Sequence, residues 1–227
     1  MKKHILDKKS SETQCLVDTK IGEEKQILIG KIKEDGIKWV DKMLEKDLTY
    51  TKPGSISFLL HGEKPSEQSI NIKMGRYGEY LSKEVIKIND SLELLTCGIQ
   101  EVNGKKKDID LIFKNKEKNI IYYRELKANI ELDTEKVPAT VNKCKEIETV
   151  LKTKYPNCEI DFGILNWSIY SRTNLTSGLN HIKTFEKHGI KIDHMGDFLK
   201  LIDIEWDEKD YYSHFKYLAE RINLRFH

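Results

Sequence analysis

The strongest constraint on this fold is a pair of closely spaced strand-like runs. Asp108–Phe113 reads Asp-Ile-Asp-Leu-Ile-Phe, and Ile120–Lys127 reads Ile-Ile-Tyr-Tyr-Arg-Glu-Leu-Lys. β-branched and aromatic residues dominate both, and the short charged link Lys114–Asn119 suits a hairpin turn. Strand side chains alternate between faces, so Glu125 and Lys127 share one face while Leu126 points into the packing opposite. A hairpin then brings Asp110 towards Glu125 across the pair.

The flanking sequence predicts what covers these strands. The first 50 residues read as helix, with Ile37, Val40, Leu44 and Leu48 at helical spacing and a break or kink near Gly30 and Gly36. Lys52-Pro53-Gly54 is a turn, Ser55–Leu60 a short strand and His61–Ser69 a loop. Arg76–Ile88 reads as a helix with Tyr77, Leu81, Val85 and Ile88 on one face. Leu92–Val102 is a strand, and Asn103-Gly104 a hairpin turn. A long helix over Thr134–Lys154 follows, with Asp133 as N-cap and Pro138 in its first turn, then a strand at Glu159–Leu165 and a polar loop at Asn166–Asn180. A helix at Leu179–His188, a strand at Ile190–Ile192 and one or two further helices complete the chain.

This order predicts an α/β fold with a central mixed β-sheet flanked by helices. At 227 residues the expectation is a single domain over 1–227. Its core lies at about 75–165, with a helical region at 1–50 and a C-terminal region at 166–227 for recognition or dimerisation. Hydrophobic residues are 38% and charged residues 33% of the chain, a globular composition that excludes disorder. The net charge of +2 does not announce a nucleic-acid binder, yet acidic ligands in one cleft can balance basic residues around it. Cys15, Cys97, Cys144 and Cys158 form no Cys-x-x-Cys pair, so free thiols in a reduced compartment are expected. With no apolar leader and no membrane-length run, the reading is a cytoplasmic protein with no membrane partner. Walker-type and Gly-x-Ser-x-Gly motifs are absent, and His181, His188 and His194 lack the paired spacing of a histidine nuclease.

Asp110, Glu125 and Lys127 are the candidate catalytic residues. Two adjacent carboxylates repel unless a hard cation lies between them. Magnesium takes one or two carboxylates plus water and phosphate oxygens, so phosphodiester hydrolysis suits this set. A lysine beside them can hold the attacking water or stabilise the transition state. The triplet alone is weak, because Asp18-Thr19-Lys20, Glu23-Glu24-Lys25 and Asp207-Glu208-Lys209 also match it. Placement singles out Glu125-Leu126-Lys127, which ends an apolar strand preceded by an Asp-headed one. The plain alternative is a cross-strand ladder of salt bridges on a solvated face.

Three segments resemble the PD-(D/E)xK nuclease superfamily, and more narrowly its type II restriction endonucleases. They are Asp110-Leu111-Ile112-Phe113, then Glu125-Leu126-Lys127-Ala128-Asn129 with Leu132–Lys136, and the glycine-bearing helix start Gly75-Arg76-Tyr77-Gly78-Glu79. The likeness covers Gly75 to Leu165 and implies a restriction-endonuclease-like core. It departs at Ile109, where the motif carries proline. Asp108 is the fallback for Asp110. Glu79 is implied as a further Mg2+ ligand beside Asp110 and Glu125, with Glu84 competing for that role. The resemblance further implies double-stranded DNA with a palindromic site as substrate, 5′-phosphate and 3′-hydroxyl products, a homodimer, and a cognate DNA methyltransferase. A junction or repair nuclease of the same superfamily and a non-catalytic DNA-binding module are the rival readings.

DNA-contact candidates flank this core. Lys105, Lys106 and Lys107 precede the Asp110 strand and suit phosphate contact, as do Lys136, Asn142 and Lys143 on the following helix. Asn166, Arg172, Thr173 and Asn174 lie in the loop after the last core strand, where Arg and Asn can read guanine and adenine edges.

Overall fold

The computed structural model describes residues 2–45, 48–102, 104–131 and 136–226, with side chains from residue 22 onward. It is an α/β fold with a mixed five-stranded sheet between two helical layers. The first element is the helix α1 (Lys2–Glu45), followed by α2 (Ile56–His61) and α3 (Glu67–Ile86). The strands β1 (Leu92–Leu94), β2 (Gly98–Val102), β3 (Lys105–Ile109), β4 (Leu111–Asn115) and β5 (Ile120–Lys127) come next. Then come α4 (Lys136–Lys154), β6 (Glu159–Asn166), α5 (Leu179–Lys187), β7 (Lys191–His194), α6 (Met195–Leu201) and α7 (Glu208–Phe226).

The main sheet has the order β1-β4-β5-β6-β7. β1, β4 and β5 pair antiparallel, whereas β5, β6 and β7 run parallel through crossovers carrying α4 and α5. β5 is therefore the central strand, and its six inner residues are all buried. Alternation sends Tyr122 and Leu126 into the core against α1, α3, α6 and α7, and Ile121 and Tyr123 into the core against α4 and α5. Arg124 lies wholly inside the first of these layers. Its Nε is 2.7 Å from Asp193 Oδ2 on β7, and a terminal nitrogen is 2.7 Å from Asp161 Oδ1 on β6. This clamp ties the three parallel strands together. Gly78 of α3 leaves space that the buried ring of Trp167 occupies, and any Cβ there would collide with it.

Several boundaries differ from the sequence expectation. Ser55–Leu60 is helical: Ser55 caps α2 by accepting from the Phe58 N–H at 3.1 Å. α1 runs through Gly30 and Gly36 unbroken, and α3 begins at Glu67, capped by Ser66. The single strand expected at Leu92–Val102 divides near Gly98, whose φ of 89° is open to glycine. Its halves join different sheets, because β2 pairs only with β3 in a two-stranded hairpin. The run Asp108–Phe113 divides at Asp110 in the same way. The proposed cap Asp133 and the helix start at Thr134 lie outside the described residues, as does Asn103 of the hairpin turn. Cys97, Cys144 and Cys158 are free thiols. Among the described residues, no helix is long and apolar enough to cross a membrane.

Candidate active site

β4 begins immediately after Asp110, and the register Leu111↔Arg124 sets Asp110 beside the end of β5. The Asp110 carboxylate takes up the strand hydrogen bonding where the ladder stops: Oδ2 accepts from the Leu126 N–H at 2.8 Å. Asp110, Glu125 and Lys127 thus share the α4 side of the sheet. Asp108, by contrast, pairs with Ile99 on the separate hairpin and is exposed. The break at Asp110 separates the two, since the preceding strand pairs with β2 and not with β5.

Two lysines hold the carboxylates. Lys127 Nζ is 2.7 Å from Glu125 Oε1, and Lys143 Nζ is 2.5 Å from Glu125 Oε2 and 3.5 Å from Asp110 Oδ1. The Tyr123 hydroxyl donates to Glu125 Oε2 at 3.0 Å. Burial pushes Glu125 up, but the charges and hydrogen bonds of Lys127 and Lys143 outweigh it and hold the carboxyl below its usual range. Asp110 fares differently. Burial first, and the neighbouring Glu125 charge second, raise it to about 7 despite the lysines and the Leu126 N–H. One site therefore carries one firmly ionised carboxylate and one that titrates near neutrality. Burial and the Glu125 charge also push the adjacent Cys144 thiol up to about 12, so it is inert.

The donor set fits a magnesium ion. Asp110 and Glu125 supply two hard oxygens at one place, and the ammonium of Lys143 already lies against both. Among the described residues, no group of three or more His, Cys, Asp or Glu side chains gathers as a metal cage. Glu79 does not join the pair in such a group. It stands on α3, 3.5 Å from Lys83. Glu84 pairs with Lys87 at 2.5 Å and lines a groove with Asp35 and Tyr80, so it faces α1.

The DNA-contact candidates separate into free and engaged groups. Lys105 and Lys106 are exposed on the β2–β3 hairpin, whereas Lys107 is 2.7 Å from Glu146 of α4. Asn166 is buried at the end of β6, in register with Lys127, and its Nδ2 has no hydrogen-bond partner. Arg172 pairs with Glu186 at 2.9 Å. Thr173 contacts Ser171, and Asn174 accepts from the Ser171 N–H and donates to Glu208, so both serve a short 3-10 turn at Arg172–Asn174. Trp167 belongs to the core.

Sequence reasoning placed Lys143 among phosphate contacts and overlooked Tyr123. A signal for Lys143 existed: it falls three residues after Thr140 and four before Ile147, both buried on α4, so it borders the inward stripe. In a scan of the whole chain no protein-family model matches, and no curated protein matches it either.

Proposed function

We propose that this protein is a magnesium-dependent DNA endonuclease of the PD-(D/E)xK kind, acting as a type II restriction enzyme. The observation that carries the proposal is the convergence of Asp110 and Glu125 from neighbouring strands, with Lys127 against the outer carboxylate oxygen. Asp110 and Glu125 would hold the ion, with water and phosphate oxygens completing its shell. A magnesium ion there would supply positive charge on the scissile phosphate and lower the pKa of a water. Lys127 would orient the attacking water and offset charge building on the phosphate. Attack of a water oxygen on phosphorus, the water giving up one proton to solvent, would break the bond to the 3′ oxygen, which takes a proton in turn. The products are a 5′-phosphate and a 3′-hydroxyl.

The substrate in this reading is double-stranded DNA with a palindromic site, cut by a homodimer with one site per strand, beside a methyltransferase that protects the host. Lys105 and Lys106 are exposed next to the Asp110 strand and suit phosphate contact. The chain would work in the cytoplasm.

The test is incubation with unmethylated phage DNA and magnesium, beside a chelator control and Lys127→Ala. Discrete fragments are expected from the wild-type protein. Lys127→Ala should lower the rate by roughly 10²–10³-fold, the range for removing one transition-state partner. DNA left intact by the wild-type protein on phage, AT-rich and junction substrates would count against an enzyme. Tight binding without cleavage would favour the binding-module reading.

A further inference from the structure

Lys143 has a role separate from that of Lys127, and the individual oxygens reveal it. Asp110 Oδ2 is engaged by the Leu126 N–H at 2.8 Å, and Glu125 Oε1 by Lys127 at 2.7 Å. The other two carboxylate oxygens are Asp110 Oδ1 and Glu125 Oε2, the latter also accepting from the neutral Tyr123 hydroxyl at 3.0 Å, which leaves it a lone pair for a cation. Lys143 is the side chain with ion pairs to both, at 3.5 and 2.5 Å. A magnesium ion held by Asp110 and Glu125 would draw on these oxygens, so ion and ammonium would compete for one place.

Resting on the metal-dependent reading above, we propose that Lys143 is a tethered counter-ion that holds the metal position in the metal-free protein and is displaced when the divalent ion binds. Its geometry suits that exchange. The lysine stem carries four rotatable carbons from α4, and its side chain keeps 20% of its surface open to solvent, so the ammonium has a way out. Lys127 lies on the other oxygen of Glu125 and does not need to move. Displaced Lys143 remains within a side-chain length of the carboxylates, where its charge is available to a phosphate oxygen. It is a positioning residue in this scheme, and it keeps two buried carboxylates from facing each other uncompensated.

The decisive measurement is Mn2+ binding to the DNA-free full-length protein by calorimetry at pH 8, with Asp110→Asn as the control for binding at this site. Lys143→Met removes the competitor and should tighten Mn2+ binding by about tenfold, the worth of roughly one hydrogen bond to a charged group. Lys143→Arg keeps a cation with a bidentate fork and should bind Mn2+ no more tightly than wild type. A second readout uses the unmodified protein: reductive methylation followed by peptide mass analysis should show Lys143 protected without metal and labelled with it. Equal or weaker binding by Lys143→Met, or Lys143 equally protected with and without Mn2+, overturns the exchange and leaves the nuclease reading standing. Absence of any Mn2+ binding that depends on Asp110 removes the metal from the proposed function, and this inference falls with it.

Discussion

Asp110→Asn should stabilise the metal-free protein, by an amount that grows as pH rises from about 4 to about 7 and is level beyond. Raising the Asp110 carboxyl from 3.8 to about 7 corresponds to about 4 kcal/mol working against its ionised form in the fold. A carboxyl raised in the folded state binds more protons there than in the unfolded chain between those two values. Stability therefore falls as pH rises from about 4 to about 7 and is level beyond. Asparagine keeps an oxygen for the Leu126 N–H and removes the charge facing Glu125. It also gives up the 3.5 Å contact with the Lys143 ammonium, which offsets part of the gain. We expect a net stabilisation of about 1–3 kcal/mol at pH 8, and close to zero at pH 4.5, where the wild-type carboxyl is already protonated. For a chain of this size each kcal/mol corresponds to a shift of roughly 2–4 °C. Urea unfolding and thermal melts of both proteins at the two pH values make the assay, with chelator present. Magnesium should then raise the melting temperature of the wild type and leave Asp110→Asn unmoved. A variant that is less stable at pH 8, or equally stabilised at pH 4.5, would refute the claim that two buried carboxylates compete here.

Two other predictions concern groups outside the site. Arg124→Met leaves Asp193 and Asp161 to the more distant Lys191, at 4.0 and 3.5 Å, in a buried layer, so unfolding free energy should drop by about 3 kcal/mol in urea titration. His214 contacts the Tyr77 hydroxyl at 2.7 Å, and burial, helped by Lys33, lowers it to about 4. A histidine depressed in the fold stabilises it above the unfolded value near 6.5 and loses that contribution as pH falls towards 4. His214→Gln should flatten the acid limb of the stability curve over that window, by roughly 2–3 kcal/mol between its ends; an unchanged limb would show that another group titrates there.

Much of this molecule was legible without coordinates, and the reasons are local. Strand β5 spans Ile120–Lys127 as expected, because a run buried on both faces is apolar nearly throughout. Helix α4 ends at Lys154 before Tyr155-Pro156-Asn157, and the mixed sheet with helices on both sides follows from element order. The shared face of Glu125 and Lys127 needs only the period of a strand. Other features could not be read this way. Residues 92–102 look like one strand, yet the chain divides them between two sheets at Gly98. Ile56, Leu59 and Leu60 look like strand residues, but with the Ser55 cap they form a short helix that leaves them exposed.

Composition and spacing alone determined that a carboxylate pair and a lysine would meet at the end of a central strand. Only tertiary packing decided that Asp110 and not Asp108 is the partner of Glu125, that a second lysine from α4 lies between them, and that Arg172 and Asn174 are tied to Glu186 and Glu208. The physical reason is range. Side-chain alternation and capping act over a few residues, whereas the charge state of Asp110 depends on its burial, on Glu125 across the strand pair, and on Lys143 brought close by the β5–α4–β6 crossover.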